Sequence, residues 1–195
     1  MSSVSNTGWS RWDALMVMSL VCWAIGFWWH LVRPPSMWIL DLAIIPFTAV
    51  VYVFAFVMSI LAVVASRRLV VLLTVAPVIV VLTALVNPMW RVAPRTWFMV
   101  HRPLFDLALE TDPGTDYYGN ELPAPLRFLT ADGRVSNDNG NIFFAQWLGI
   151  PDDAGGYIYN PGQSPEGADL YGLFCQDPVD LGGGWWMCGL ADNGF

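Results

Sequence analysis

Lysine is absent from all 195 residues, histidine occurs twice and cysteine three times. Nine arginines face sixteen acids, for a formal charge of −7. That balance argues against nucleic acid as a partner, because phosphate binding needs clustered cations that release counterions. The missing lysine is read as genome composition rather than chemistry. With no CxxC pair, and His101 the one imidazole near the paired cysteines, no metal site is expected. GxSxG, HExxH, P-loop and dinucleotide fingerprints are all missing, so nothing calls for an enzyme or a cofactor.

Charge is also missing locally, and this is the most informative gap. Leu15 to Val32, Leu42 to Ser66 and Leu69 to Trp90 contain no Asp, Glu, Lys or Arg. A helix crossing a hydrocarbon core of roughly 30 Å needs about 20 such residues. Three spans follow, over about 14–32, 38–65 and 69–86. Pro34 and Pro35 block continuation of the first, and Asn87-Pro88 ends the third. No small-residue cleavage site follows the first run, so it is a retained span rather than a signal peptide. Pro46 and Pro77 lie inside spans, where neighbouring helices can satisfy the freed carbonyls.

Residues 1–87 carry four Arg and two Asp, and residues 88–195 carry five Arg and fourteen acids. The first part is a transmembrane region and the second, at a net −9, is a small aqueous domain. Arg67 and Arg68 occupy a very tight turn between the second and third spans, which favours a cytoplasmic turn. The wider arginine count is three against four and decides nothing. The expected orientation is N-terminus inside and C-terminal domain outside. Trp28, Trp29, Trp90, Arg91, Arg95 and Trp97 suit the headgroup layer, where an indole is half buried and a guanidinium meets phosphate. His30, Arg33 and Asp41 sit at span ends and read as an interfacial ion pair, with a proton or quinone role as the alternative.

The tail opens with a short helix over residues 101–110, with Pro103 in its first turn. Strands are expected around Leu126 to Thr130, Asn141 to Leu148, Tyr157 to Tyr159, Leu170 to Gln176 and Trp185 to Leu190. The sum is an α+β domain with an antiparallel sheet of four or five strands. Cys175 and Cys188 have their midpoint in the turn at Leu181-Gly182, so a symmetric hairpin would oppose them and place Leu173 across from Leu190. A disulfide there closes a loop of about 14 residues and is worth roughly 3 kcal/mol. It also suits an oxidising compartment. Cys22 lies mid-span as a small apolar residue. Asp152-Asp153 and the stretch from Ser136 to Asn141 read as solvated turns, with weak calcium binding as the alternative.

Several stretches together carry a resemblance: residues 101–106 (HRPLFD), Leu122-Pro123 with residues 126–128, residues 155–161 (GGYIYNP) and residues 180–186 (DLGGGWW). The tail resembles that of actinobacterial membrane proteins of uncharacterised activity, which have a few N-terminal spans and a C-terminal domain of this size. The resemblance implies a Gram-positive envelope with the tail at its outer face. It brings no catalytic positions.

The expected function is therefore a non-catalytic membrane protein. Its extracytoplasmic domain binds or stabilises a protein partner, such as a larger envelope or respiratory complex. The alternative is a small-molecule binding or sensing domain, with a pocket drawn from Trp147, Tyr157, Tyr159, Trp185 and Trp186. An enzyme would need convergent titratable groups among Asp41, His30, Asp152 and Asp153.

Overall fold

A computed structural model describes residues 11–32, 40–88, 92–149 and 152–190, save the side chains of Asp41 and Leu42. Trp90, Arg91 and Arg33 lie outside the described residues. The chain divides into two compact units, residues 1–28 with 47–89 and residues 29–46 with 90–195.

Among the described residues three helices are long and apolar enough to cross a membrane: α1 (Arg11–Val32), α2 (Asp41–Ala65) and α3 (Leu69–Val86). Their outward residues are apolar, among them Val50, Phe54, Val57, Leu61, Val70 and Leu73, which is the surface that lipid requires. Both internal prolines are kept within helices. The inner face carries polar groups that the sequence did not single out. Thr83 on α3 accepts the Trp23 indole N–H of α1 at 3.0 Å, and its hydroxyl lies 3.1 Å from that of Tyr52 on α2. This node ties three helices through side-chain hydrogen bonds, the kind of polar contact that joins helices in a bilayer. Gly26 makes it possible, because a Cβ there would run into the Tyr52 ring. At one end Asp13 pairs with Arg68 at 2.8 Å, joining the start of α1 to the turn between α2 and α3.

The second unit is built on a six-stranded antiparallel sheet, where four or five strands were expected. In chain order the strands are β1 (Asn120–Glu121), β2 (Arg134–Asp138), β3 (Asn141–Leu148), β4 (Ala154–Tyr159), β7 (Val179–Gly182) and β8 (Trp185–Cys188). In space they run β1-β2-β3-β4-β8-β7. A separate two-stranded hairpin, β5 (Asp169–Leu170) with β6 (Leu173–Phe174), completes the set. The turn between β2 and β3 is Asn139-Gly140, both at positive φ, the pairing a two-residue hairpin demands. The Asn137 side chain caps the Gly140 N–H and Asp138 accepts from Asn139, so these oxygens close a turn, as expected of the stretch from Ser136 to Asn141.

Because strand side chains alternate, the sheet has two buried faces. Phe144, Tyr157, Trp185 and Met187 pack on one side with Trp97, Phe98 and Phe105 of α4 (Pro94–Ala108). Phe143, Ala145, Ile158 and Cys188 pack on the other beneath Leu170, Tyr171 and Cys175. The sheet is the middle of three layers.

Four expectations are corrected. The helix is longer than residues 101–110: it starts with Pro94 at its first position, and Pro103 sits in its interior. Leu126–Thr130 is not a strand; Ala124–Leu129 forms a 3-10 helix behind Pro123, with Pro125 removing a ladder donor. The strand expected over Tyr157 to Tyr159 is longer: β4 starts at Ala154 and takes in Gly155 and Gly156. A Cβ on Gly156 would strike the Phe144 carbonyl, where β3 bulges between Ala145 and Trp147. The disulfide Cys175–Cys188 is present, with Cα atoms 5.5 Å apart, but not across a symmetric hairpin. The partners of β8 are β4 and β7, so Leu173 pairs with Leu170 rather than facing Leu190.

Candidate functional site

Aromatic residues singled out from the sequence are mostly consumed by the fold. Tyr157 and Trp185 are fully buried; the Tyr157 hydroxyl donates to the Pro94 carbonyl at 2.6 Å and the Trp185 indole to Asp106 at 3.0 Å. Tyr159 is partly buried against Trp185. Trp186 lies on the opposite sheet face, its indole bound to the Asn160 carbonyl, and Trp147 donates to the Gly189 carbonyl. Residues divided between two faces of a sheet do not line one pocket. Trp97, expected among headgroups, is buried in the α4 core between His101 and Phe128. It turns inward because it shares a helical face with Phe98, His101 and Phe105. His101 donates through Nδ1 to the Trp97 carbonyl. Arg95 is exposed on α4, and Trp28 and Trp29 are exposed near the end of α1.

A different group does come together at the surface. The loop 111–119 leaves α4 and is braced by its own polar groups. Asp112 caps the Gly114 N–H, and Asn120 reaches both the Asp112 and the Pro113 carbonyls. Gly119, at φ 69, presses so closely on the Val135 carbonyl that no Cβ fits. The loop thereby presents Tyr117 and Tyr118, which are 53% and 37% exposed. The Tyr117 hydroxyl donates to Asp169 at 3.0 Å and the Tyr118 hydroxyl to Asp152 at 2.9 Å. Their rings are 5.0 Å apart and edge-on, and both rest on Tyr171 at 5.7 and 5.1 Å.

Tyr171 sits at φ 58 in the turn between β5 and β6, followed by Gly172 at φ 109. A non-glycine residue is disfavoured there by about 1 kcal/mol or more. Packing compensates: the ring is buried against Phe143 and the hydroxyl bonds Ser136 at 3.0 Å. Asp169 is held in turn, accepting the Gly172 N–H through one oxygen while its own backbone N–H binds Asp138. Two tyrosines and three carboxylates thus form one braced, acidic surface. Sequence reasoning missed it, since the pairs are 52 and 34 residues apart. The adjacent Tyr117-Tyr118 in an acid-rich loop is the one signal that could have found it.

The electrostatics follow from that packing. Loss of hydration, then the hydrogen bond and charge of Asp169, push the Tyr117 hydroxyl from 10.0 up to about 12. The bond to Asp152 is the largest cause raising Tyr118, and burial raises Tyr171. For Tyr117 the folded value exceeds the unfolded one. Its stabilisation is therefore complete below pH 10 and is lost as pH rises through about 12. Tyrosinate absorbance during alkaline titration checks this: Asp169→Asn removes one charge and lowers the Tyr117 midpoint. An unchanged midpoint in that variant would refute the pairing.

Among the described residues no three His, Cys, Asp or Glu side chains converge as a metal-ligand set. No protein-family model, curated protein or solved structure matches the chain.

Proposed function

We propose that this chain is a non-catalytic membrane protein whose C-terminal domain lies outside the cytoplasm and binds a protein partner through Tyr117 and Tyr118. One observation carries the reading: two neighbouring exposed tyrosines have their hydroxyls fixed by separate carboxylates and their rings by a buried third tyrosine. Aromatic side chains already immobilised lose little freedom on binding, which is what makes tyrosine an effective contact residue. Asp138, Asp152 and Asp169 leave the surface acidic, so the complementary partner is basic at this contact. An accessory subunit of an envelope or respiratory complex has this form.

Sidedness rests on three supports. The spans among the described residues are odd in number, which puts the start of α1 and the tail on opposite sides. A disulfide persists in an oxidising space. The turn arginine Arg67 favours the cytoplasm, while Arg68 weighs less because Asp13 offsets it.

Placing a photoreactive phenylalanine analogue at Tyr117 in native membranes tests the contact. A discrete protein adduct is expected there, and none from the same group at Gln163. Tyr117→Ala with Tyr118→Ala should reduce recovery of that partner about tenfold, with the disulfide intact on a non-reducing gel. Equal adduct patterns at both positions, or undiminished recovery from the double variant, would rule the surface out.

A further inference from the structure

Beyond partner binding, no element among the described residues covers the outer face of α4. Met99 and Val100 are 58% and 57% exposed and Leu107 is 48% exposed, with Pro103 exposed between them. Met99, Pro103 and Leu107 follow one another at i, i+4 and i+8, with Val100 beside them, so they form one apolar stripe. The opposite face of the same helix, Trp97, Phe98, His101, Phe105 and Ala108, is spent on the sheet. A helix in water has no reason to carry both.

We infer that the N-terminal half of α4 lies in the bilayer interface, its apolar stripe among the lipid acyl boundary and Arg95 at the phosphates. Three features favour lipid over a protein groove. The first is reach: α3 ends at Val86 and α4 begins at Pro94. The seven intervening residues extend at most about 25 Å, and the headgroup layer itself is about 5–8 Å thick. The second is charge order. The cation Arg95 is exposed at the end that follows the third span in sequence, while the exposed acids Asp106, which Arg102 offsets at 4.0 Å, and Glu110 come at the far end. Anionic headgroups attract the first and repel the others, so the helix enters by its N-terminal half and leaves by its C-terminal half. The third is composition, since a flat stripe of Met, Val and Pro flanked by Arg has the form of an interfacial helix. This contact takes the place of the anchoring role expected of Trp97. It is independent of the Tyr117 surface, whose loop follows the acidic end of α4.

The test uses the full-length chain in nanodiscs of phosphatidylcholine and phosphatidylglycerol. A photoreactive phenylalanine analogue at Val100 should yield lipid adducts about fivefold above the same group at Glu166, read by mass spectrometry. The unmodified protein gives a second measurement. Oxidation of Met99 by aqueous peroxide should be about fivefold slower than that of a free methionine peptide. A free-peptide rate at Met99, or lipid adducts at Val100 no higher than at Glu166, overturns the proposal. In native membranes, a Val100 adduct only to protein would assign the stripe to a polypeptide partner instead and would equally overturn it. Neither measurement involves Tyr117, so failure here leaves the partner surface standing.

Discussion

Cys175→Ala or Cys188→Ala is expected to lower the stability of the C-terminal domain by about 3 kcal/mol, the chain entropy released by opening a loop of this length. The two cysteines are 13 residues apart and join the end of the β5–β6 hairpin to β8 of the main sheet. That hairpin has only two paired positions, Asp169↔Phe174 and Leu170↔Leu173, and a hairpin so short is marginal alone. Its backbone-to-backbone ties, Gly167 N–H to the Cys175 carbonyl and Cys175 N–H to the Ala168 carbonyl, are internal to it, while the Asp169 N–H on Asp138 and the Tyr171 hydroxyl on Ser136 bond it to β2. The disulfide is thus a principal link from hairpin to sheet, with Leu170, Tyr171 and Phe143 packed beneath. Since Asp169 and Tyr171 also hold Tyr117 and Tyr118, the loss reaches the proposed binding surface. Urea unfolding of the full-length protein in detergent, followed by near-ultraviolet circular dichroism, measures the first effect. The alkaline midpoint of Tyr117, falling from about 12 toward 10, measures the second. An unchanged urea midpoint would show that the hairpin is held by packing alone.

How much of this was readable depends on the range over which each cause acts. The spans were legible because lipid imposes one rule on every residue, and a run such as Leu69–Val86 obeys it continuously. The cysteine pairing was legible by elimination, but its geometry was not. Asp177 at φ 49 and Pro178 break the chain between Cys175 and β7, so a second strand enters the ladder where one continuous strand was expected. Leu126–Thr130 misled because its apolar content suits a strand equally well, while Pro123 and Pro125, two residues apart, decide for a 3-10 turn. Pro103 misled in the other direction. Its position suits a helix start, yet Pro94 fills that role and the interior proline lies toward the open face of α4. The tyrosine surface needed tertiary structure, as Tyr117, Asp169 and Tyr171 meet only once the disulfide hairpin is seated. The Trp23–Thr83–Tyr52 node is of the same kind, joining three helices through a threonine that looks unremarkable in its apolar run.

The adjacent tryptophans Trp185 and Trp186 allow the sharpest test of the two-faced sheet. Trp185 has no exposed surface, and its ring centre lies 5.1–5.8 Å from those of Tyr159, Phe98, Phe144 and Phe105. Its indole N–H also meets Asp106 at 3.0 Å, tying β8 to α4. Trp185→Ala should therefore destabilise the domain by about 3–5 kcal/mol, through lost burial and the cavity left among four aromatic rings. Trp185→Phe retains most of the ring contact and loses the indole bond, with an expected cost of about 1.5–3 kcal/mol for a hydrogen bond to a charged group. Trp186 is chemically identical and one residue along, but it lies half-buried on the other face with its indole on the Asn160 carbonyl. Trp186→Ala should cost less than Trp185→Ala, since part of the ring is already exposed to solvent. Denaturant midpoints of the three variants in the full-length protein give the order directly. A Trp186→Ala cost equal to or above that of Trp185→Ala would mean the faces are assigned the wrong way round, and with them the roles of α4 and of the disulfide hairpin.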